Sequence, residues 1–198
     1  VETMLKDGVH GIEQISEIVL NLKNFSRLDR ARVSEFGVQD GLESTLLLAR
    51  NMLKNSVELR QQFQAVPKIQ CSPSQINQVF LNLISNAAQA MEGRAEKGLI
   101  TLRTLPEGED MVRVEVQDNG SGIPADVLPR IFDPFFTTKD IGKGTGMGLS
   151  ISFKIIEQHG GKILVDSEPG SGTVFSILLP VRAKVEAAVL MDDQLEMA

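Results

Sequence analysis

The chain has 198 residues, of which 42% are hydrophobic, and its 20 basic and 26 acidic side chains give a formal net charge of −6. This length suits one full hydrophobic core with a smaller appendage. The negative charge disfavours a nucleic-acid surface, and no apolar stretch is long enough to cross a bilayer. No signal-like start is visible, so we expect a cytoplasmic location. From the charge and the lack of a long apolar stretch, we expect no bound nucleic acid and no direct membrane contact from this segment.

The first thirty residues predict one long amphipathic helix. Apolar and small side chains recur at spacings of three and four, which is typical of a coiled-coil-like seam. The seam residues are Leu5, Val9, Ile12, Ser16, Val19, Leu22 and Ser26, and Ile15, Ile18 and Phe25 widen the stripe. Because the seam has no evident partner in the following domain, we expect it to meet another helix.

Strand and helix patterns then follow a charged hinge at 28–35. Strands are predicted at 36–39, 58–63, 68–70, 99–105, 111–117, 162–165 and 173–179, and brief or longer helices at 41–55, 128–131 and 147–159. A further helix should start at Ser72 or Ser74 with Pro73, and Asp40 should cap the helix at 41–55. Elements of these lengths predict a two-layer α/β sandwich, with a mixed sheet and helices on one face.

The single cysteine, Cys71, cannot form an internal disulfide, which fits a reducing compartment. It precedes the predicted helix cap at Ser72, so we expect a structural thiol rather than a reactive one.

Four short motifs lie in the second half of the chain, and each suits one part of an anionic ligand. They are Asn82-Leu83-Ile84-Ser85-Asn86-Ala87, Asp118-Asn119-Gly120-Ser121-Gly122, Phe132-Asp133-Pro134-Phe135-Phe136 and Gly142-Lys143-Gly144-Thr145-Gly146-Met147-Gly148-Leu149. An asparagine carbonyl is a suitable ligand for Mg²⁺, and a glycine run before a helix exposes N–H groups to phosphate oxygens. A carboxylate before Gly-x-Gly can accept a hydrogen bond from an exocyclic amine. Together they suit a magnesium-bound nucleoside triphosphate.

Each motif also has a purely structural interpretation. Gly-x-Gly alone is usually a turn, and asparagines four residues apart on a helix are more often solvated than ligating. Phe132, Phe135 and Phe136 would ordinarily be core residues or loop anchors, and for Phe132 we prefer that interpretation. The joint order and spacing of the motifs favours the ligand site.

The same motifs in the same order resemble the N, G1, F and G2 boxes of the catalytic ATP-binding domain of sensor histidine kinases, in the GHKL superfamily. The resemblance covers about residues 36–181 and closes with Gly170-Ser171-Gly172-Thr173-Val174-Phe175, which is similar to the last strand motif of the family. It implies a Bergerat-type ATP-binding fold at 33–182, the second helix of the dimerisation and phosphoacceptor bundle at 1–32, and a tail or linker at 183–198.

The resemblance also implies roles for single residues. Asn86 would bind Mg²⁺, Asn82 would lie beside the metal and phosphates, and Asp118 would hydrogen-bond the adenine amino group. Gly120 and Gly122 would border the base, and the Thr173 hydroxyl would join the adenine pocket. The remaining predicted contacts surround the phosphates: Gly142, Lys143, Gly144, Thr145, Gly146, Met147, Gly148, Leu149 and Lys139, with Lys139 or Lys143 adding a positive charge.

A mobile lid is expected at about 133–146, because this segment has glycines, threonines and charges but little periodicity. We expect the Phe135-Phe136 pair to help anchor it.

Members of the family transfer the γ-phosphoryl group of Mg-ATP to a histidine, work as homodimers, and pass the phosphate to a response regulator. Neither His10 nor His159 lies in the phosphoacceptor motif, so we expect the acceptor on another polypeptide or in the missing first helix, and we assign no catalytic residue. The parent protein is expected to be cytoplasmic or the cytoplasmic part of a membrane-bound sensor. Alternatives are a GHKL-type ATP hydrolase, disfavoured because Asn82 stands where those enzymes carry glutamate, and a non-catalytic nucleotide-gated binding module.

Overall fold

The computed structural model describes residues 32–53, 57–93, 97–139 and 144–182. The predicted N-terminal helix and the tail at 183–198 lie outside these ranges, as do His10, Gly142 and Lys143. The predicted lid is described at 133–139 and 144–146 only.

The described ranges form seven strands, three α-helices and one short 3-10 helix. In chain order they are β1 (Ser34–Phe36), α1 (Val38–Leu53), β2 (Val57–Phe63), β3 (Ile69–Cys71), α2 (Pro73–Gln89), β4 (Gly98–Glu107), β5 (Met111–Asp118), the 3-10 helix (Leu128–Arg130), α3 (Gly148–Gln158), β6 (Lys162–Glu168) and β7 (Gly172–Pro180). Most elements lie within a few residues of their predicted positions. None of the described helices is long and apolar enough to span a membrane.

The first strand and helix depart from the prediction. The prediction of a strand at 36–39 is wrong, because β1 ends at Phe36 and α1 already begins at Val38. Asp40 therefore lies in the first turn of α1 rather than at its cap. Tertiary contacts explain the earlier start, since Val38 is buried in the core and the Gln39 amide donates to the backbone carbonyl of Gln64.

The main sheet has five strands in the order β2-β4-β5-β7-β6. Strand β2 runs parallel to β4, and the other neighbouring pairs are antiparallel. Strands β1 and β3 form a separate antiparallel pair. The prediction of a mixed sheet is therefore confirmed.

The helices cover one face of this sheet. The alternation of β5 and β7 directs one set of side chains to the buried face: Val112, Val114, Val116, Phe175, Ile177 and Leu179. Helix α2 meets them with an apolar stripe at helical spacing: Ile76, Val79, Phe80, Leu83, Ile84 and Ala87. The opposite face of the sheet carries ion pairs, including Arg113 with Glu107 at 2.8 Å. This two-layer arrangement confirms the predicted sandwich.

Cys71 lies at the end of β3 and is 1% exposed. Burial raises the pKa of its thiol to about 12. The thiol is therefore protonated at neutral pH, as expected for a structural cysteine.

Candidate nucleotide-binding site

Helix α2 presents three amide side chains on one face. Asn82, Asn86 and Gln89 are separated by four and then three residues, so they project in nearly the same direction. All three are partly exposed, whereas the opposite face of the helix is buried. The helix starts at Ser72 as the N-cap residue, with Pro73 in the first turn. Its amide face therefore borders the open side of the core.

Asn82 joins α2 to the first turn of α3. Its Nδ2 donates to the Gly148 carbonyl at 3.1 Å and to the Ser152 hydroxyl at 3.2 Å. Ser152, which is fully buried, in turn donates to the same carbonyl at 2.9 Å. The amide of Asn82 thus holds the start of α3 against α2. Ser152 was not predicted, because its partner lies far away in the sequence.

Asn86 faces a cation from the predicted lid. The Lys139 ammonium lies 3.4 Å from Asn86 Oδ1 and also donates to Gln89 Oε1. The Lys139 stem passes close to Gly144, where a Cβ would lie 3.1 Å from Lys139 Cδ. The amide oxygen of Asn86 therefore already accepts a hydrogen bond from a positively charged group. Gln89 was not singled out from the sequence, although its helical spacing from Asn86 would have indicated it.

Asp118 and Thr173 lie at one end of the sheet, on the helix-covered face. They are 5% and 3% exposed, respectively, and are directly paired across β5 and β7. Asp118 Oδ1 accepts a hydrogen bond from the Gly120 N–H at 2.7 Å, and Thr173 Oγ1 lies 2.8 Å from Ser167 Oγ. A buried carboxylate and a buried hydroxyl are therefore neighbours beside the Gly-x-Gly loop.

The Gly-x-Gly loop, at residues 120–122, packs between the end of α2 and the β6–β7 hairpin. The Ser121 N–H donates to the Ala90 carbonyl at 3.1 Å. A Cβ at Gly120 would lie 2.7 Å from the Ala90 Cβ, and a Cβ at Gly122, where φ is +70°, would lie 2.1 Å from the Glu168 carbonyl oxygen. Both glycines are therefore needed for close approach within the protein.

Ser167 in β6 is a further polar residue of this region that the sequence prediction missed. Its hydroxyl accepts from the Ile123 N–H at 2.8 Å and lies 3.0 Å from the Gly172 carbonyl oxygen. It thereby ties the segment after the Gly-x-Gly loop to the strand that carries Thr173. Only the register of β6 against β7 reveals this contact.

The second glycine run leads into α3. Gly146 has φ +65°, and a Cβ there would lie 2.4 Å from the Phe135 carbonyl carbon. The Thr145 hydroxyl accepts from the Met147 N–H at 3.4 Å. The Met147 side chain is buried in the core, so any ligand contact of this residue would come from its backbone, and Leu149 is partly buried against the same core. Within the described residues, the N-cap residue Met147 makes no side-chain cap hydrogen bond, and helix geometry leaves N–H groups in the first turn of α3 available to an anion.

The three phenylalanines of the motif at 132–136 behave differently. Phe132 is partly buried against Phe153, with ring centroids 5.3 Å apart, which confirms its interpretation as a packing residue. Phe136 lies under the Arg130 guanidinium, 4.4 Å from ring centroid to Cζ. Phe135 is 64% exposed and has φ +66°. The prediction that both residues of the Phe135-Phe136 pair anchor the lid is therefore wrong for the Phe135 side chain.

His159 is a structural residue. Its Nδ1 lies 2.7 Å from the Ile155 carbonyl oxygen, and its Nε2 accepts from the Ser72 N–H at 3.0 Å. These contacts require a neutral ring with its proton on Nδ1. Burial lowers the pKa of the imidazole. The ring links the end of α3 to the start of α2.

Comparison with known proteins identifies the family. The model of histidine kinase-, DNA gyrase B- and HSP90-like ATPases matches residues 71–183. Sensor kinase CckA of Brucella abortus is 41% identical over 181 residues, which cover 83% of this chain and 19% of that protein. The chain belongs to the sensor histidine kinases. It spans about a fifth of the length of that relative.

Solved histidine kinases share the fold of this kinase domain. A nucleotide-free form of the catalytic domain of histidine kinase ThkA is 31% identical, with a TM-score of 0.65, and the match covers 78% of this chain and 99% of that one. ThkA in complex with response regulator protein TrrA is 26% identical, with a TM-score of 0.68, over 86% of this chain and 49% of that one. The two-layer α/β architecture is therefore that of a histidine kinase catalytic domain.

The G1 and G2 boxes and the segment after the F box meet α2, which carries the N box. The G1 loop binds the end of α2 through Ser121, the G2 helix is held by Asn82, and the segment after the F box reaches Asn86 through Lys139. Asp118 lies two residues before Gly120, which packs against Ala90 one turn beyond Asn86. Asn82, Gly148, Asn86, Lys139 and Gly120 are thus brought together on or against α2.

Proposed function

We propose that this domain binds Mg-ATP and presents its γ-phosphoryl group to a histidine of the dimerisation bundle, for relay to a response regulator. The carrying observation is that three features meet α2. The partly exposed Asn86 amide lies on this helix, Asn82 on the same helix binds the start of α3, and the loop after the buried Asp118 carboxylate packs against the end of the helix. The proposal includes the division at 1–32, 33–182 and 183–198, a homodimeric parent protein, and a cytoplasmic location for this segment.

The adenine end of the ligand is assigned to the sheet edge. Asp118 would accept from the exocyclic amine, Thr173 would contribute its hydroxyl, and Gly120 and Gly122 would border the ring. A buried carboxylate that already accepts one N–H bond is suited to this role, because an ionised acid offers several acceptor positions.

The phosphate end is assigned to α2 and the G2 run. Asn86 would be the protein ligand of Mg²⁺, and the attraction of its oxygen for the Lys139 ammonium fits a cation at that point. Backbone N–H groups from Gly144 to Leu149 would face the phosphates, together with Lys139. Gly142 and Lys143 keep their sequence-based assignment. When bound, Mg²⁺ supplies neutralisation of the charge on the phosphate oxygens.

Phosphoryl transfer depends mainly on positioning and charge neutralisation, and the chain's residues serve those ends. Asn82 fixes the start of α3 relative to Asn86, so the donors around the phosphates are preorganised. Its amide cannot accept a proton as a carboxylate would, which favours transfer to a histidine over activation of water. The acceptor imidazole, on a separate helix, would be neutral and would need orientation more than activation.

A two-stage experiment tests this proposal. Calorimetry with Mg-ATP should give saturable heat for the parent protein, and much weaker binding for Asn86→Ala when Mg²⁺ is present. Incubation with labelled ATP and a separately supplied phosphoacceptor helix pair should then label the added histidine. Binding without transfer would support the nucleotide-gated module, rapid release of free phosphate would support the hydrolase, and absence of binding would overturn the proposal.

A further inference from the structure

We propose that the Lys139 ammonium competes with Mg²⁺ for the amide oxygen of Asn86, so that the lysine occupies the metal ligand until a metal-bound nucleotide displaces it. This inference rests on the proposed function, because it concerns the same site. It assigns Lys139 a role in setting metal affinity, in addition to any contact with phosphate.

The geometry carries the first step. Lys139 reaches two of the three amides on the open face of α2, at 3.4 Å from Asn86 Oδ1 and in hydrogen-bonding contact with Gln89 Oε1. These amides are three residues apart on a helix, so one ammonium can bind both. An ammonium has three donors, and two amide oxygens together form a small polar clamp for it.

The backbone of the G2 run confines the stem of the same lysine. A Cβ at Gly144 would lie 3.1 Å from Lys139 Cδ and 3.4 Å from Thr137 Oγ1. The lysine stem therefore lies between the glycine run and α2, and the absence of a side chain at residue 144 leaves space for it. This placement directs the ammonium towards Asn86.

Charge makes the two occupants incompatible. Mg²⁺ binds oxygen at about 2.1 Å, so a metal on Asn86 Oδ1 would lie very close to an ammonium on the same atom. Like charges repel strongly at such a separation unless an anion lies between them. A triphosphate brings that anion, and the displaced ammonium can then donate to phosphate oxygens. Metal binding and release of Lys139 from Asn86 are thus coupled.

Lys139→Met tests this coupling, because methionine keeps an unbranched apolar stem and removes the charge. Mg²⁺ is titrated by calorimetry into protein saturated with ADP, and the affinities for ATP and ADP are then compared at saturating Mg²⁺. We expect half-saturation by Mg²⁺ at a concentration about three- to tenfold lower than in the parent, since the competing charge is gone. We also expect a smaller preference for ATP over ADP.

Lys162→Met is the matched control. Lys162 is exposed and pairs with Leu178, at the opposite end of the β6–β7 ladder from Thr173, and its replacement removes the same charge. Lys139→Arg keeps the charge and should retain the Mg²⁺ midpoint of the parent. Thermal unfolding of all variants should coincide, because Lys139 is exposed.

The outcomes separate this inference from the proposed function. If Lys139→Met leaves the Mg²⁺ midpoint equal to that of Lys162→Met, or weakens metal binding, competition at Asn86 is wrong while ATP binding stands. If the parent itself gives no heat with Mg-ATP, the proposed function fails first.

Discussion

Asp118 and Thr173 are direct cross-strand partners at the end of the central ladder, and both side chains are buried on the helix-covered face. Paired residues of antiparallel strands have side chains on the same side of the sheet. A carboxylate and a hydroxyl thus share one edge of the proposed adenine pocket. Their pairing brings two motifs that are about fifty residues apart in the sequence next to each other.

Asp118→Asn tests whether the carboxylate recognises the adenine base. An amide keeps one acceptor oxygen for the Gly120 N–H but presents an N–H₂ group where the carboxylate had a second acceptor. We expect affinity for ATP to fall about 10- to 100-fold, with a much smaller change for GTP, because a charged hydrogen bond to the amine is lost. Competition binding of the two nucleotides measures the change.

Asp110→Asn provides the control for Asp118→Asn, since Asp110 is an exposed turn residue before β5. It should bind both nucleotides as the parent does. An unchanged ratio of ATP to GTP affinity in Asp118→Asn would remove Asp118 from base recognition.

Asn82 and Ser152 should act as one unit. Ser152→Ala removes an acceptor for Asn82 and a donor to Gly148, and Asn82→Ala removes both bonds from α2 to α3. We expect each substitution to lower the free energy of unfolding by about 1–2 kcal/mol, and the double variant to lose less than the sum. Urea unfolding of the four proteins measures the coupling.

Nucleotide binding gives the second readout for this pair. Because Asn82 positions the start of α3, both single variants should weaken Mg-ATP binding more than they weaken binding of adenosine. Strictly additive unfolding energies, or equal losses for the two ligands, would contradict a positioning role.

Regular patterns could be predicted from the sequence because their physical cause is local. Val112, Val114 and Val116 alternate with other residues because they lie on the buried face of a strand. The apolar stripe from Ile76 to Ala87 has helical spacing because it lies on the buried face of a helix. Asn86 and Asp118 could be proposed as site residues for a similar reason, since each belongs to a short motif. The predicted sheet and its helix-covered face followed from these signals.

Contacts between distant segments could not be predicted in this way. Nothing in the local sequence pairs Asn82 with Ser152, or Lys139 with Gln89, because each contact depends on how α2 meets another segment. The start of α1 was misplaced for a related reason, since burial of Val38 outweighs the capping preference of Asp40. Exposure of Phe135 depends on a backbone turn with φ +66° that composition does not indicate.

Gly122→Ala tests the close packing of the G1 loop. Alanine at this position must adopt φ +70° and place its Cβ 2.1 Å from the Glu168 carbonyl oxygen. Gly108→Ala is the matched control, because φ there is +64° and nothing lies within 4 Å of the added carbon. We expect Gly108→Ala to cost about 1 kcal/mol of stability, from the backbone conformation alone.

Gly122→Ala should cost clearly more than its control, about 2–4 kcal/mol, because the hairpin and loop must separate to accept the methyl group. Thermal and urea unfolding compare the two variants. Equal losses would mean that the loop moves away from Glu168 without penalty.

His159 should make stability depend on pH. In the folded protein its pKa is lowered by burial, and Nε2 is occupied by the Ser72 N–H, whereas in the unfolded chain the pKa is about 6.5. As the pH falls below about 6.5, the unfolded chain therefore binds a proton that the folded protein does not. The stability contributed by the neutral ring is fully present above that pH and is lost as the pH falls towards the lowered folded pKa, with a slope of at most about 1.4 kcal/mol per pH unit.

His159→Gln isolates this contribution from that of the carboxylates. Glutamine has an acceptor and donors like the neutral ring but does not titrate in this range. Urea unfolding at about pH 7.5 and about pH 5.5 should show a larger loss of stability for the parent than for His159→Gln. Because the substitution also disturbs packing, the comparison uses the difference between the two pH values for each protein. The same pH-dependent loss in both proteins would show that the Ser72–His159 link is not the group that titrates.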